Sequence, residues 1–72
     1  MSNEVTGPQA AEVLGVSIST VHRKVDAGVL SARQQGTGER QFIHIEIEDL
    51  RTFAATYGYR INEELLRQYE SE

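Results

Sequence analysis

The side chains able to act on a partner fall into three groups along this 72-residue chain. Ser19, Thr20, His22, Arg23 and Lys24 lie within one short stretch. Two hydroxyls, an imidazole, a guanidinium and an ammonium at that spacing suit hydrogen bonding to phosphate oxygens and base edges. Arg33 and Arg40 flank a Gly36-Thr37-Gly38 centre, and Glu46, Glu48 and Asp49 make a carboxylate cluster. Catalytic chemistry has little to work with. His22 and His44 share no metal-ligand spacing, and the chain has no Cys to join them. Gly36-Thr37-Gly38 precedes a predicted strand rather than a helix, so it is no phosphate-cradling loop. The three carboxylates read as helix-start residues that favour the dipole, not as an acid pair. No enzyme, cofactor or metal site is expected.

The first group needs a helix to present it. In Ser17 to Gly28, Ser17 is a natural N-cap and Gly28 a natural stop. Ile18, Val21 and Val25 then form one narrow apolar stripe. Ser19, Thr20, Arg23 and Ala27 lie opposite it, His22 and Lys24 sit on the flanks, and Asp26 is the one acid. Small residues with cationic reach suit a helix lying in a DNA major groove, although a solvated amphipathic face would read the same way.

Other elements must hold that helix. Thr6-Gly7-Pro8-Gln9 is a capping box with Pro in the first turn, and Val5 stands where a staple would meet Ala10. A first helix follows to Leu14, burying Ala10, Val13 and Leu14, and Gly15 ends it; Met1 to Glu4 reads as a frayed end. The tight turn through Gly15 and Val16 makes residues 6–28 a helix-turn-helix, with a plain helical hairpin as the alternative. Val29 and Leu30 turn the chain back toward the core. Strands over 30–34 and 40–45 would form a Gly-tipped wing with Ile43 and Ile45 inward; the facing of Phe42 stays open. A closing helix over 46–57 buries Leu50, Phe53, Ala54 and Tyr57. Asn62 caps a last helix, 62–71, which is too short to persist undocked. Its apolar side, Leu65, Leu66 and Tyr69, faces either its own domain or a second copy.

One domain of this length has a small core, and nothing resembles a membrane span or leader, so a soluble cytoplasmic protein is expected. The net charge of −4 opposes nucleic-acid binding when taken whole. Its distribution softens that objection. Residues 1–41 hold four acids and four bases, whereas residues 42–72 hold seven acids and three bases. The acidic half can therefore form a back face.

Ala10-Ala11-Glu12-Val13-Leu14-Gly15-Val16-Ser17, Ser19-Thr20-Val21, Gly28-Val29-Leu30 and Glu48-Asp49-Leu50 together resemble the excisionase and MerR-type winged helix-turn-helix proteins, over roughly Val5 to Ala55. The resemblance implies a mainly α fold with a small β-hairpin, a second helix that enters the major groove, and a wing on flanking backbone or minor groove. It implies a transcription regulator or an architectural factor for phage or plasmid recombinases. Thr20 matches a phosphate-contacting hydroxyl, His22 and Arg23 match base- or backbone-contacting positions, and Arg33 and Arg40 match basic wing positions. Lys24 departs from the pattern, standing where a large apolar or aromatic residue is usual. The second wing strand is poorer in Arg than is common. The long dimerising coil and effector domain of MerR-type activators are not seen, so a ligand-sensing activator is not expected.

The resulting expectation is sequence-specific binding of double-stranded DNA in several copies, with a recombinase or the transcription machinery as a further partner. The candidate DNA contacts are Ser17, Ser19, Thr20, His22, Arg23 and Lys24 on the helix and Arg33, Gln35, Thr37 and Arg40 on the wing. Leu65, Leu66 and Tyr69 are the candidate contacts between copies. The competing expectation is a protein-interaction adapter that works through the acidic half.

Overall fold

The computed structural model describes residues 3–35 and 42–70. Its elements run β1 (Glu4–Thr6), α1 (Gly7–Leu14), α2 (Ile18–Asp26), β2 (Arg33–Gln35), β3 (Phe42–Glu46), α3 (Ile47–Tyr57) and α4 (Glu63–Glu70). The fold is mainly α, with four helices around a small antiparallel sheet of order β1-β3-β2.

Local chemistry sets the first two helices. The Thr6 hydroxyl accepts from the Gln9 N–H at 3.3 Å, and Gln9 Oε1 accepts from the Thr6 N–H at 3.0 Å. Two orphan donors at the start of α1 are thereby satisfied. Gly15 stops α1 with φ 70°, a left-handed conformation in which a side chain would be strained. Ser17 caps α2, its hydroxyl accepting from the Thr20 N–H at 3.2 Å. The last turn of α2 closes through Ala27, and Gly28 follows at φ 79°.

The opening residues are not frayed at Glu4. They form β1, which pairs Glu4 with Glu46, Val5 with Ile45 and Thr6 with His44. A hairpin alone is marginal in water, and β1 makes the sheet three-stranded. The same pairing moves the start of α3. Glu46 stays in the ladder, so the helix opens at Ile47, whose N–H donates to the Asn3 carbonyl at 2.9 Å. On the other edge Arg33 pairs with His44, Gln34 with Ile43 and Gln35 with Phe42. The first hairpin strand therefore starts at Arg33 rather than at 30, and the predicted start of the second, at 40, lies outside the described residues. Ile43 and Ile45 face inward, as their alternation around His44 requires.

The core joins Val5, Val13, Val21, Leu30, Ile45, Leu50 and Leu66, each 2 % exposed or less. Ala10 and Ala11 are also buried, because α1 packs against α2, β3 and α4. Three residues expected toward the core, Ile18 and Tyr57 by periodicity and Val29 from the turn, lie outward at 46 %, 52 % and 38 % exposed respectively. Ile18 opens α2 and Tyr57 closes α3, so both overhang the packed layer. Leu30, next to Val29, takes the single inward position in that turn.

The last helix docks on its own chain. Leu66 is fully buried, and Leu65 and Tyr69 pack against the same core. The Asn62 N–H donates to the Val13 carbonyl at 2.9 Å, satisfying one of the open carbonyls at the end of α1. Asn62 Oδ1 caps α4 by accepting from the Leu65 N–H at 3.1 Å. Tyr69 donates its hydroxyl to Glu12 of α1. Arg51 of α3 grips Glu63 with two bonds of 2.7 and 2.9 Å. Those bonds hold the Glu63 carboxyl below the usual carboxylate range. The pair therefore acts at neutral pH and is lost as pH falls through that lowered value.

Candidate nucleic-acid interface

The exposed side of α2 carries the candidate contacts. Ser17, Ser19, His22 and Arg23 are exposed, and Thr20 and Lys24 are half-buried. Their hydroxyls are organised. Ser17 Oγ lies 2.9 Å from Thr20 Oγ1, and an Arg23 Nη donates to Thr20 Oγ1 at a long 3.5 Å. Residues three apart share one side of a helix, so Ser17, Thr20 and Arg23 form a short ladder. Ser17 is spent on capping, which leaves Ser19 and the outer lone pairs of Thr20 for a partner. Among the described residues neither Arg23 nor Lys24 is ion-paired. The positive charge of this face is therefore available.

His22 stands on the flank of α2 nearer the sheet. Its Nε2 lies 3.9 Å from where a Cβ on Gly7 would stand, and Ile43 lies 3.0 Å from that same point. A side chain at Gly7 would press on Ile43 in the seam where α1, α2 and β3 meet. Tyr57 and Tyr59 stand on the opposite flank of α2, bordering a groove with Thr20, Lys24 and Ala27. Periodicity alone did not single these tyrosines out. Tyr57 looked like core because it continues the apolar stripe of α3, and Tyr59 belongs to no motif.

The wing positions behave differently. Arg33 lies on the outer face of the sheet and reaches over β3 to Glu4 of β1, at 2.7 Å. Its charge is thus partly compensated within the fold, although its side chain remains 58 % exposed. With His44, Glu46 and Asp49, this pair borders a shallow hollow of about 260 Å³. That hollow is bordered by three carboxylates, Glu4, Glu46 and Asp49, against the one guanidinium of Arg33. Gln35 ends β2 opposite Phe42; the side chains of both lie outside those described, as do Thr37, Arg40 and the Gly36-Thr37-Gly38 tip.

The proposed contact between copies needs correction. Leu66 is wholly enclosed by its own chain and has no surface to offer a neighbour. Leu65 and Tyr69 are half-buried beside it, and Tyr69 is engaged by Glu12. A helix of this length gains its order by docking, and the nearest apolar surface is that of its own α1. Among the described residues no three His, Cys, Asp or Glu side chains gather to hold a metal, and no helix is long and apolar enough to cross a membrane. Comparison with known protein families, curated proteins and solved structures finds no match to this chain.

Proposed function

We propose that this chain is a sequence-specific DNA-binding protein of the winged helix-turn-helix type, similar to excisionase and MerR-type proteins. In this reading α1 and α2 are the helix-turn-helix, α2 lies in the major groove, and the β2–β3 hairpin is the wing. The observation that carries it is the outer face of α2: two cations with no ion-pair partner among the described residues and organised hydroxyls, with Asp26 the one acid on that helix. Of the hydrogen bonds such a face makes, those to phosphate fix register and those to base edges read sequence. Its role is that of a recombination directionality factor or a small cytoplasmic regulator. The acidic half, where Glu46, Glu48 and Glu70 border one hollow, is the surface for a recombinase or transcription partner. Mobility shift with fragments from the protein's own locus, at low and moderate salt, tests the reading. One preferred fragment is expected, and equal retention of all fragments overturns it.

The Glu4–Arg33 pair makes a sharper expectation. Glu4→Gln removes the internal acid that competes with phosphate for Arg33. Cognate and random duplexes should then both bind more tightly, and the log–log salt slope should steepen by about 0.9 for the added contact. An unchanged slope would place Arg33 away from the DNA.

Few cations are available per protomer, so a single bound copy has a shallow salt dependence and modest affinity. Several copies on adjacent sites would supply the rest, meeting through the wing or the Leu65–Tyr69 edge rather than through Leu66. Sedimentation with one-site and two-site duplexes should show the second site filling more readily than the first. Independent filling argues for a protein that acts alone.

A further inference from the structure

The groove on the far flank of α2 has the composition of a small-ligand site. It measures about 390 Å³ and lies between α2 and the end of α3. One wall carries Arg23 and Lys24, two cations without an ion-pair partner among the described residues. Both border the same groove, so an anion bound there meets two positive charges. The other wall carries Tyr57 and Tyr59. Both rings lean on Phe53, at centroid distances of 5.0 and 5.2 Å, with Tyr59 nearly parallel to it at 18°. Phe53 itself is 4 % exposed, so it gives the tyrosines a fixed backing. Of the three large apolar side chains exposed among the described residues, two, Tyr57 and Val29, border this one groove.

A ligand that satisfies both walls has a flat aromatic part and a negative charge a few ångströms away. The volume falls at the small end of ligand clefts, about 300–1,000 Å³. It suits a single mononucleotide and is too small for a docked helix. Aromatic side chains beside Arg or Lys are also the usual platform for an unstacked base with its phosphate. We propose that this groove binds a free nucleoside monophosphate, the base lying against Tyr57 and Tyr59 and the phosphate between Arg23 and Lys24. This site stands independently of the DNA reading. One consequence rests on that reading: because Arg23 and Lys24 serve both, a bound nucleotide and a bound duplex exclude each other.

The test is an amide NMR titration of the full chain, without DNA, with each of the four nucleoside monophosphates. Saturable shifts are expected at Lys24 to Val29 and at Tyr57 to Tyr59. Inorganic phosphate alone and the nucleoside alone should each bind about tenfold more weakly or worse, since each loses one wall. Tyr57→Ala, at an exposed position, should weaken nucleotide binding by about tenfold and leave duplex binding unchanged. Tyr59→Ala can replace it if that variant does not fold. Equal shifts from phosphate and nucleotide, or shifts confined to other surfaces, overturn the proposal. Binding of an oligothymidylate strand with none of the mononucleotides also overturns it. Should the fragments of the mobility-shift test show no preference while the nucleotide still binds here, the DNA reading fails and this one stands.

Discussion

Leu66→Ala is expected to destabilise the protein by about 2–5 kcal/mol, the range for truncating an enclosed leucine. The side chain is fully buried where α4 meets the core, so its removal loses transfer energy and leaves a cavity that short helices fill poorly. A chain of this size has roughly 4–11 kcal/mol of total stability, so a large share of it would go. The thermal midpoint should drop by about 4–8 °C for each kcal/mol, and the urea midpoint should fall with it. Polar links from α4 to the rest, among them Arg51 to Glu63 and Glu70 and Tyr69 to Glu12, lie at the surface. Exposed ion pairs contribute little, so Glu63→Gln should barely move the midpoint. Had α4 served to join two copies, Leu66→Ala would change the sedimentation of the protein and spare its monomer stability. That pattern would overturn docking on its own chain.

Arg23→Ala is expected to lower affinity for the preferred duplex by about 5–150-fold, the equivalent of about 1–3 kcal/mol for a base-reading arginine. The guanidinium is exposed, carries no ion pair among the described residues, and is steered by Thr20 at 3.5 Å. Removing it should cost the fold little, because Val21 and Val25 hold the buried side of α2. Fluorescence anisotropy at one fixed salt, against a random duplex, separates the two roles of an arginine. A loss confined to the preferred duplex identifies base reading, whereas equal losses identify a phosphate contact. Arg23→Lys should recover part of the phosphate term but little of the base reading, since a lysine lacks the planar fork. Wild-type affinity in a folded Arg23→Ala protein would place the docking face elsewhere.

The helices and the outward face of α2 were legible in the chain because their determinants lie within a few residues of one another. Thr6 with Gln9, Ser17 with Thr20, and Asn62 with Leu65 are caps closed across three positions. Ile43 and Ile45 alternate around His44 within one strand, and Gly15, Gly28 and Gly58 mark ends by taking positive φ. The preference of α4 for its own chain was left open by sequence, since an apolar stripe specifies burial but not the surface that supplies it. Three features came only from tertiary closure. β1 is three residues long, too short to show a period, and exists because β3 has a free edge for Val5 to follow inward. Arg33 meets Glu4 across 29 positions, so its partner depended on the strand order β1-β3-β2. Tyr57 and Tyr59 border one groove with Arg23 and Lys24 only because α3 ends beside α2. Short-range order follows from hydrogen bonds and side-chain period along one segment, whereas an interaction between distant residues waits on which surfaces the core brings together.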